Sequence, residues 1–325
     1  MDFQPAVYEH AARLINKRPW EVSRDADLLF QAHSAAYETY RHSPVVVGID
    51  VYNIEAEAHG CIVSEPDGNE APAIREHVCK SLKDISLLPV LNPRSDGRLP
   101  MIIDAARRLK AKYPRADVRV PVSGPFSLAG SLLGLENMLC ETLENPELSS
   151  LVLDQIVSGQ TAYCRAIVQS GLAVSIFESG ATPPLVSPAM FENVILPALD
   201  RMVKSASFAQ GQLLPCIMGG NTEPIIDLFM RSKPGYIICP SETDQAAFMK
   251  KMEAYPSVMV RVNMNAAIFA TNDMDRITKE ANRVFDVART RIKACIGSGV
   301  LPYEADPRIV QDVAEYVMIR GILLI

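Results

Sequence analysis

The stretch AVSIFESGATPPLVSPAMFENVILPALDRMVKSA (173–206) contains the unit from which the fold is predicted. It opens with a near-continuous apolar run that ends at Glu178, as expected for a parallel strand that is buried on both faces. A loop follows, and then a helical pattern with Ser187 as N-cap and Pro188 at the first helical position. The stretch therefore predicts a strand, a loop and a helix in that order.

The same alternation of apolar strand and longer helix recurs from about residue 44 onward. Seven strands are predicted, at 44–51, 118–123, 173–179, 212–218, 235–240, 258–263 and 294–299. A stub near Pro19–Ser23 is a candidate for an eighth. Such alternation implies a parallel sheet, either open and doubly wound or closed into a (β/α)8 barrel. No Gly-x-Gly-x-x-Gly follows an early strand, so a dinucleotide-binding sheet has no support, and the strand count favours the barrel.

The predicted fold class is therefore α/β, a (β/α)8 TIM barrel with an N-terminal helical extension. Residues 1–43 are expected to form a helical segment packed on the barrel, and residues 44–325 the catalytic barrel. No linker or low-complexity tract divides the chain, so a single domain is expected overall.

Charge and composition exclude several classes of partner. The 325 residues include 32 Lys and Arg against 38 Asp and Glu, a net charge of −6. No basic stretch is available to neutralise phosphates, so no nucleic-acid partner is expected. No apolar run approaches the roughly 18 to 20 residues of a membrane span, and no secretory signal is recognised. The seven cysteines are spread without a Cys-x-x-Cys pair, which is typical of a reduced cytoplasmic protein.

The ends of the predicted strands supply candidate site residues, because these positions line the active site of a barrel. The candidates are Asp50, Ser123, Glu178, Cys216, Cys239, Asn263 and Ser298. Structural alternatives remain open for most of them. The two cysteines could be small buried hydrophobes, and Ser123 and Asn263 could be turn formers. All five histidines lie at or before His77, so a site built from later residues must work without imidazole.

Three further motifs lead to a family. They are IDVYNIEAEAHGCIV (49–63), VSGPFSLAGSLLG (122–134) and GGNTEPIIDLF (219–229), with ESGATPPLVSPAMFENVILPAL (178–199) between the last two. In this order and spacing the chain resembles the uroporphyrinogen decarboxylase superfamily over roughly residues 15 to 325. Within it, the chain is more similar to the corrinoid (cobamide)-dependent methyltransferases, of the O-demethylase methyltransferase I type, than to the decarboxylases.

The resemblance implies a barrel whose site moves a methyl group to or from the cobalt of a corrinoid, usually carried by a separate small protein. Asp50 matches the aspartate that decarboxylases direct at pyrrole NH groups, and Glu178-Ser179 matches a shared Glu-Ser pair. The arginine-rich segment of the decarboxylases is absent, however, and Ser298 replaces their histidine after the last strand. A classical decarboxylase is therefore not favoured.

Thiol-methylating members of the superfamily hold zinc through His-x-Cys after the fifth strand and Gly-Cys after the eighth. The matching residues here are Cys216-Ile217-Met218 and Ser298-Gly299, so the standard zinc site is altered. Cys216 with Glu178 remains a candidate metal pair if another carboxylate joins them, and zinc stays uncertain.

With a thiol acceptor disfavoured, the predicted reaction is transfer of methyl from a small donor, an aromatic (phenyl) methyl ether, to Co(I) of a partner corrinoid protein. The oxygen is a poor leaving group as an anion, so the enzyme must protonate it or stabilise its charge, through a buried acid with a raised pKa or a metal acting as Lewis acid. Glu57 or Glu178 is the expected proton donor, and Asp50 completes the predicted catalytic set. The expected substrate contacts are Glu55, Ser123, Phe126, Ser179, Asn221 and Asn263. For Glu55 and Glu57 the alternative is that they only fix their loop through hydrogen bonds to backbone NH groups.

Three other functions remain open: a thiol methyltransferase with an altered metal site, a decarboxylase acting on a smaller substrate, and an inactive barrel that binds a corrinoid protein. The corrinoid is expected on a separate protein, because no Asp-x-His-x-x-Gly occurs in the chain. Family members are often dimers, so a homodimer is a further possibility.

Overall fold

The computed structural model of the protein describes residues 1–211 and 214–322. Within them lie ten strands, of which β3 and β4 form an antiparallel hairpin and the other eight are parallel. The strands are β1 (Phe3–Ala6), β2 (Val45–Val46), β3 (Ile62–Ser64), β4 (Ala73–Glu76), β5 (Val118–Ser123), β6 (Ala173–Phe177), β7 (Cys216–Ile217), β8 (Tyr236–Cys239), β9 (Met259–Met264) and β10 (Ala294–Val300).

The eight parallel strands follow one another around a closed circuit. One ladder runs in the order β2-β5-β6-β7 and another in the order β8-β9-β10-β1, and a parallel bridge between Pro215 and Tyr236 joins them. Between β1 and β2 the Ser43 backbone N–H donates to the Gln4 side chain. Each strand thus lies beside its successor in the chain, and β10 lies beside β1, which is the order of a (β/α)8 barrel. The predicted α/β barrel is confirmed.

Helices follow the strands and cover the outside of the barrel. They are α1 (Glu9–Arg13), α2 (Pro19–Arg24), α3 (Ala26–Tyr40), α4 (Ile54–Ala58), α5 (Leu82–Ser86), α6 (Leu99–Lys112), α7 (Pro125–Leu133), α8 (Leu135–Glu144), α9 (Pro146–Gln169), α10 (Pro188–Met190), α11 (Leu196–Gln210), α12 (Ile226–Phe229), α13 (Gln245–Lys251), α14 (Met274–Ala288) and α15 (Pro307–Ile322). No helix in the described ranges is both long and apolar enough to cross a membrane.

The helix starts follow the sequence signals. The Ser187 hydroxyl accepts a hydrogen bond from the Met190 backbone N–H (3.2 Å), so it caps α10 as predicted. A short π-helical segment (Phe191–Ile195) then leads into α11, where Pro197 sits in the first turn. Proline is tolerated there because the first-turn N–H groups have no intrahelical acceptor.

The first barrel strand is not where the sequence suggested. Pro19–Ser23, the predicted stub, belongs to helix α2, and the strand that completes the barrel is β1, with Phe3 opposite Ile296 of β10. The segment 1–43 therefore contributes a strand as well as the three helices α1 to α3. A boundary at residue 43 stays a prediction.

The other strands overlap their predicted ranges, although β9 and β10 each end one residue later than predicted. Two of the predicted runs yield much shorter strands. The run 44–51 yields only Val45–Val46. Of the run 212–218, Gln212 and Leu213 lie outside the described residues, and the strand is Cys216–Ile217.

Successive residues of each strand face opposite sides of the barrel wall. Phe177, Ile217 and Ile238 pack with Tyr8 in a small apolar cluster on the inner side. Their neighbours Ile176, Cys216 and Cys239 belong instead to the large core between strands and helices. This alternation decides which strand-end side chains reach the mouth of the barrel.

Candidate active site

A cavity of about 390 Å³ lies at the carboxyl ends of the barrel strands. Three aromatic side chains line it: Tyr8, Tyr52 and Phe177. Its main polar side chains are Glu9, Asp50, Asn53, Ser179, Glu242, Arg261 and Asn263. A mostly apolar cavity with a few convergent polar groups is the expected form of a small-molecule site.

The three rings form one wall of the cavity. The Phe177 ring packs edge-on against Tyr8 (ring centroids 6.0 Å apart) and against Tyr52 (5.8 Å). The hydroxyls of Tyr52 and Ser179 are hydrogen-bonded at 2.6 Å, and Ser179 Oγ accepts from the Gly219 backbone N–H at 2.9 Å. These bonds fix the orientation of Tyr52, so the wall is preorganised for a flat ring.

Glu9 is the cavity carboxyl that sequence reasoning missed. It lies three residues after the end of β1, in the first turn of α1, and no ion pair joins it to a described cationic side chain. Burial raises the pKa of Glu9 to about 7, and nearby Glu304 adds to the rise. A carboxyl with this pKa carries its proton for much of the time at neutral pH. The sequence analysis predicts no strand at residues 3–6, so it does not mark Glu9 as a residue near a strand end.

Asp50 lies at the mouth, as expected, but its carboxylate is already bound. Arg98 donates two hydrogen bonds to it, from Nη1 to Oδ1 (2.8 Å) and from Nη2 to Oδ2 (2.7 Å). The same guanidinium donates from Nε to Glu57 Oε2 at 2.6 Å, and Arg24 pairs with the other Glu57 oxygen. Arg98 thus joins two carboxylates that the sequence analysis treated separately.

Glu57 was one of the two expected proton donors. It is absent from the cavity lining, and both of its carboxylate oxygens face guanidinium groups. Its position on α4 therefore supports a structural role, which is to hold the Arg98 network in place.

Glu178, the other expected donor, lies on the outer side of the barrel wall. Its carboxylate accepts from the backbone N–H groups of Phe126 (3.0 Å) and Ser127 (2.7 Å), and from Ser127 Oγ (2.5 Å). A Cβ at Gly124 would lie only 2.3 Å from Glu178 Oε2, so glycine is needed there. Burial raises the pKa of Glu178 to about 7, against the lowering effect of these hydrogen bonds. The side chain closes the N-terminus of α7 and does not line the cavity.

We expect Glu178→Gln to lower the free energy of unfolding by about 1–3 kcal/mol, because the amide leaves one buried donor without an acceptor. Urea denaturation measures this, with the exposed Glu253→Gln as control. The pH dependence of turnover should stay that of the wild type. A folded variant with full stability and lost turnover would contradict the structural role.

Three expected substrate contacts also lie behind the strands. Glu55 Oε2 accepts from the Ser123 backbone N–H at 2.6 Å, which is the alternative kept open for Glu55. The Gln160 side chain donates to the Ser123 carbonyl and to Glu55 Oε1. Phe126 is fully buried in the core. None of Glu55, Ser123 and Phe126 is among the residues that line the cavity.

The remaining expected contacts divide between the mouth and its surroundings. Ser179 and Asn263 line the cavity, as predicted. Asn221 is not among the residues that line the cavity. Its side-chain oxygen accepts a hydrogen bond from Thr243 Oγ1 at 3.0 Å, which fixes the loop after β7.

The candidate metal pair is separated from the cavity by the barrel wall. Cys216 is fully buried in the outer core, and burial raises its pKa well above the usual value, which disfavours the thiolate that binds zinc. At this strand end Ile217 and Gly219 line the cavity, and neither has a ligating side chain. Across residues 1–211 and 214–322, no three His, Cys, Asp or Glu side chains are grouped to hold a metal ion.

Ser298 and Cys239 complete the strand-end candidates. Ser298 Oγ accepts from the Ala6 backbone N–H at 3.4 Å, so it helps join β10 to β1. Cys239 is a buried residue of the outer core. Cys239 thus follows the alternative kept open for it, a small buried hydrophobic residue.

Comparisons with known proteins agree with this architecture. The chain is 26% identical over 185 residues to the methylcobamide:CoM methyltransferase MtbA of Methanosarcina acetivorans, covering 56% of this chain and 54% of that protein. It is 24% identical over 188 residues to a methylated-thiol–coenzyme M methyltransferase of Methanosarcina mazei, covering 57% and 50%. It thus spans about half the length of the curated relatives it matches.

A solved structure and a family assignment cover much more of the chain. A methyltransferase from Methanosarcina mazei superposes with a TM-score of 0.81 over 99% of this chain and 95% of that chain, at 17% identity, which shows the shared fold. Residues 5–317 match the family described as uroporphyrinogen decarboxylase (URO-D). With its barrel, its mouth cavity and this match over most of its length, the chain belongs to the URO-D family.

Proposed function

We propose that the protein transfers a methyl group from a small aromatic methyl ether to the cobalt of a corrinoid carried by a separate protein. One observation carries the proposal. A single cavity holds three aromatic rings and a carboxyl group, Glu9, whose pKa of about 7 leaves it partly protonated at neutral pH. A phenyl ether needs both a flat apolar surface and a proton for its leaving oxygen.

The corrinoid part of the proposal is supported by the relatives. Their names describe methyl transfer between methylcobamide and CoM, or from methylated thiols to coenzyme M. The ether donor is not among the substrates that these names give, so it rests on the cavity alone.

The mouth of the cavity fits a corrinoid presented by another protein. The described side chains that line it include neither histidine nor cysteine, so this chain offers no such ligand to cobalt. Val300, which lines the mouth at the end of β10, is an exposed apolar side chain suited to pack on a flat macrocycle. When bound, the corrinoid supplies the Co(I) electron pair that forms the new bond to the methyl carbon.

The residues of this chain then have separate tasks. Tyr8, Tyr52 and Phe177 hold the ring of the ether. As the methyl carbon leaves, the electron pair of its C–O bond stays on the ether oxygen. Glu9 donates its proton to that oxygen, so the product leaves as a neutral phenol and the Glu9 carboxylate is re-protonated from water. Asp50 keeps its ion pair with Arg98 and so fixes the cavity wall beside the ring.

The test is an anaerobic absorbance assay with free Co(I) cobalamin and a panel of methyl donors. The panel contains aromatic methyl ethers, methanol and methylamines, and each donor is paired with a reaction lacking protein. We expect a protein-dependent absorbance change of the corrinoid with an aromatic ether, accompanied by one equivalent of phenol. Methylation from methanol or a methylamine alone would replace the ether assignment, and silence even with a cognate corrinoid protein would overturn the proposal.

A second candidate, methyl transfer to a thiol, is favoured by the names of the relatives. It requires a means of activating the thiol other than cysteine and histidine ligands, which are absent from the described residues that line the cavity. The same assay run in reverse, from methylcobalamin to coenzyme M, distinguishes the two candidates.

A further inference from the structure

Three arginines are buried in the described part of the chain, and one of them has no anionic partner. Arg98 pairs with Asp50 and Glu57, and Arg119 pairs with Asp117. Arg261 of β9 is equally buried, at 6% exposure, yet its one hydrogen bond runs from Nε to the neutral amide oxygen of Asn263 (3.0 Å). No carboxylate among residues 1–211 and 214–322 forms an ion pair with it.

The groups around Arg261 remain uncharged at neutral pH. Burial raises the pKa of Tyr8 to about 12 and that of Cys295 to about 11, although Arg261 opposes both shifts. Burial also raises the pKa of Tyr236 and lowers that of His42 to about 3. None of these side chains therefore supplies the negative charge that a buried guanidinium requires.

Arg261 borders the cavity. It lines the mouth cavity and also a second, small space that Pro44 and Val46 line. It precedes Asn263 by two residues, so it lies about 7 Å deeper along the strand. The terminal nitrogens of this guanidinium form no hydrogen bond with residues 1–211 and 214–322. A charged group in that state, bordering a substrate cavity, is well placed to receive an anion from a ligand.

The neighbouring strand is shaped to accommodate this side chain. A Cβ at Gly297 of β10 would lie 2.4 Å from Arg261 Cδ, so glycine leaves the space through which the arginine chain runs. The contact explains why glycine stands at position 297.

Together with the proposed function, on which this step rests, the geometry points to a substrate that carries a single carboxylate or sulfonate, bound by Arg261 and Asn263 at the cavity floor. For the ether reaction the donor is then a methoxylated aromatic acid. The acid group lies at Arg261, the ring lies against the aromatic wall, and the methyl group faces the mouth. Arg261 is a specificity-determining residue in this arrangement, because a guanidinium binds such oxyanions through two hydrogen bonds.

The test is a calorimetric titration of the full chain without any corrinoid. 4-Methoxybenzoate is compared with the uncharged 4-methoxybenzamide, and coenzyme M, a sulfonate, with 2-mercaptoethanol. We expect the wild type to bind 4-methoxybenzoate about 10- to 100-fold more tightly than the amide. Arg261→Met should abolish that preference, whereas Arg115→Met, which removes one charge from an exposed position before β5, should not.

The melting temperature of ligand-free Arg261→Met is a second readout. A buried charge without a partner destabilises the fold, so the variant should melt at or above the wild-type temperature. A marked fall would show a hidden structural role and overturn the inference.

The outcomes separate the inference from the proposed function. Arg261-dependent binding of coenzyme M with no binding of the aromatic acid would keep the anion site and reject the ether donor. Equal binding of charged and uncharged ligands in the wild type would reject the anion site and leave the methyl-transfer assay as the test of function.

Discussion

Glu9→Gln is expected to lower the rate of ether demethylation about 100- to 10,000-fold, the usual contribution of a positioned general acid. Glutamine keeps the size and hydrogen-bonding shape of the side chain but has no proton to give to the leaving oxygen. Binding of the donor should change little, because the ring is held by Tyr8, Tyr52 and Phe177. Single-turnover rates and donor affinity, measured separately, distinguish these effects.

The pH profile gives an independent check on Glu9. The protonated form is the active one, and its pKa is about 7, so the rate should be level below that pH and fall as pH rises through it. Glu9→Gln should remove this fall along with the activity. Glu242→Gln, which changes an exposed carboxyl at the same mouth, serves as control and should keep the wild-type profile. A wild-type rate that rises above pH 7 would assign Glu9 the role of a base.

Arg98→Met is expected to lower the free energy of unfolding by about 3–5 kcal/mol. The substitution leaves the Asp50 carboxylate, which is almost fully buried, without its bidentate partner, and it also removes one of the two cations at Glu57. Urea denaturation followed by circular dichroism measures the loss.

The double variant Arg98→Met with Asp50→Asn is the informative control. Removing the unpaired negative charge should restore part of the lost stability. The coupling between the two residues is the cost of the double variant minus the sum of the costs of Arg98→Met and Asp50→Asn, each measured alone. If the double variant loses as much stability as the two single variants together, the two side chains are not coupled. That result would contradict the ion pair between Arg98 and Asp50.

The order of strands and helices could be predicted from the sequence because buried parallel strands are continuous apolar runs. Side-chain direction could not. Glu178 and Cys216 were expected at the mouth because they stand at strand ends, whereas their neighbours Phe177 and Ile217 face the cavity. In a strand that is apolar on both faces, polar and apolar residues no longer alternate. The sequence then gives no sign of which alternate side chains point into the barrel.

Two further parts of the site depend on contacts between distant segments. β1 reads only FQPA, too short and too proline-rich to predict as a strand, and Glu9 was missed with it. Arg98 follows a polar loop, and only the folded chain shows that it binds Asp50, 48 positions earlier. Asp50, Ser179 and Asn263 could be predicted because they combine a strand end with a polar side chain.

The pairing of β1 with β10 has a consequence for synthesis on the ribosome. Phe3 pairs with Ile296, which is synthesised about 290 residues later, so β1 lacks this neighbour until then. At the usual elongation rate of about 5–20 residues per second, that interval is on the order of 15–60 s. During it the barrel has an open seam, and Glu9 is not yet held at the cavity. The nascent protein therefore carries an unpaired strand edge until β10 emerges, and such an edge favours pairing with other chains.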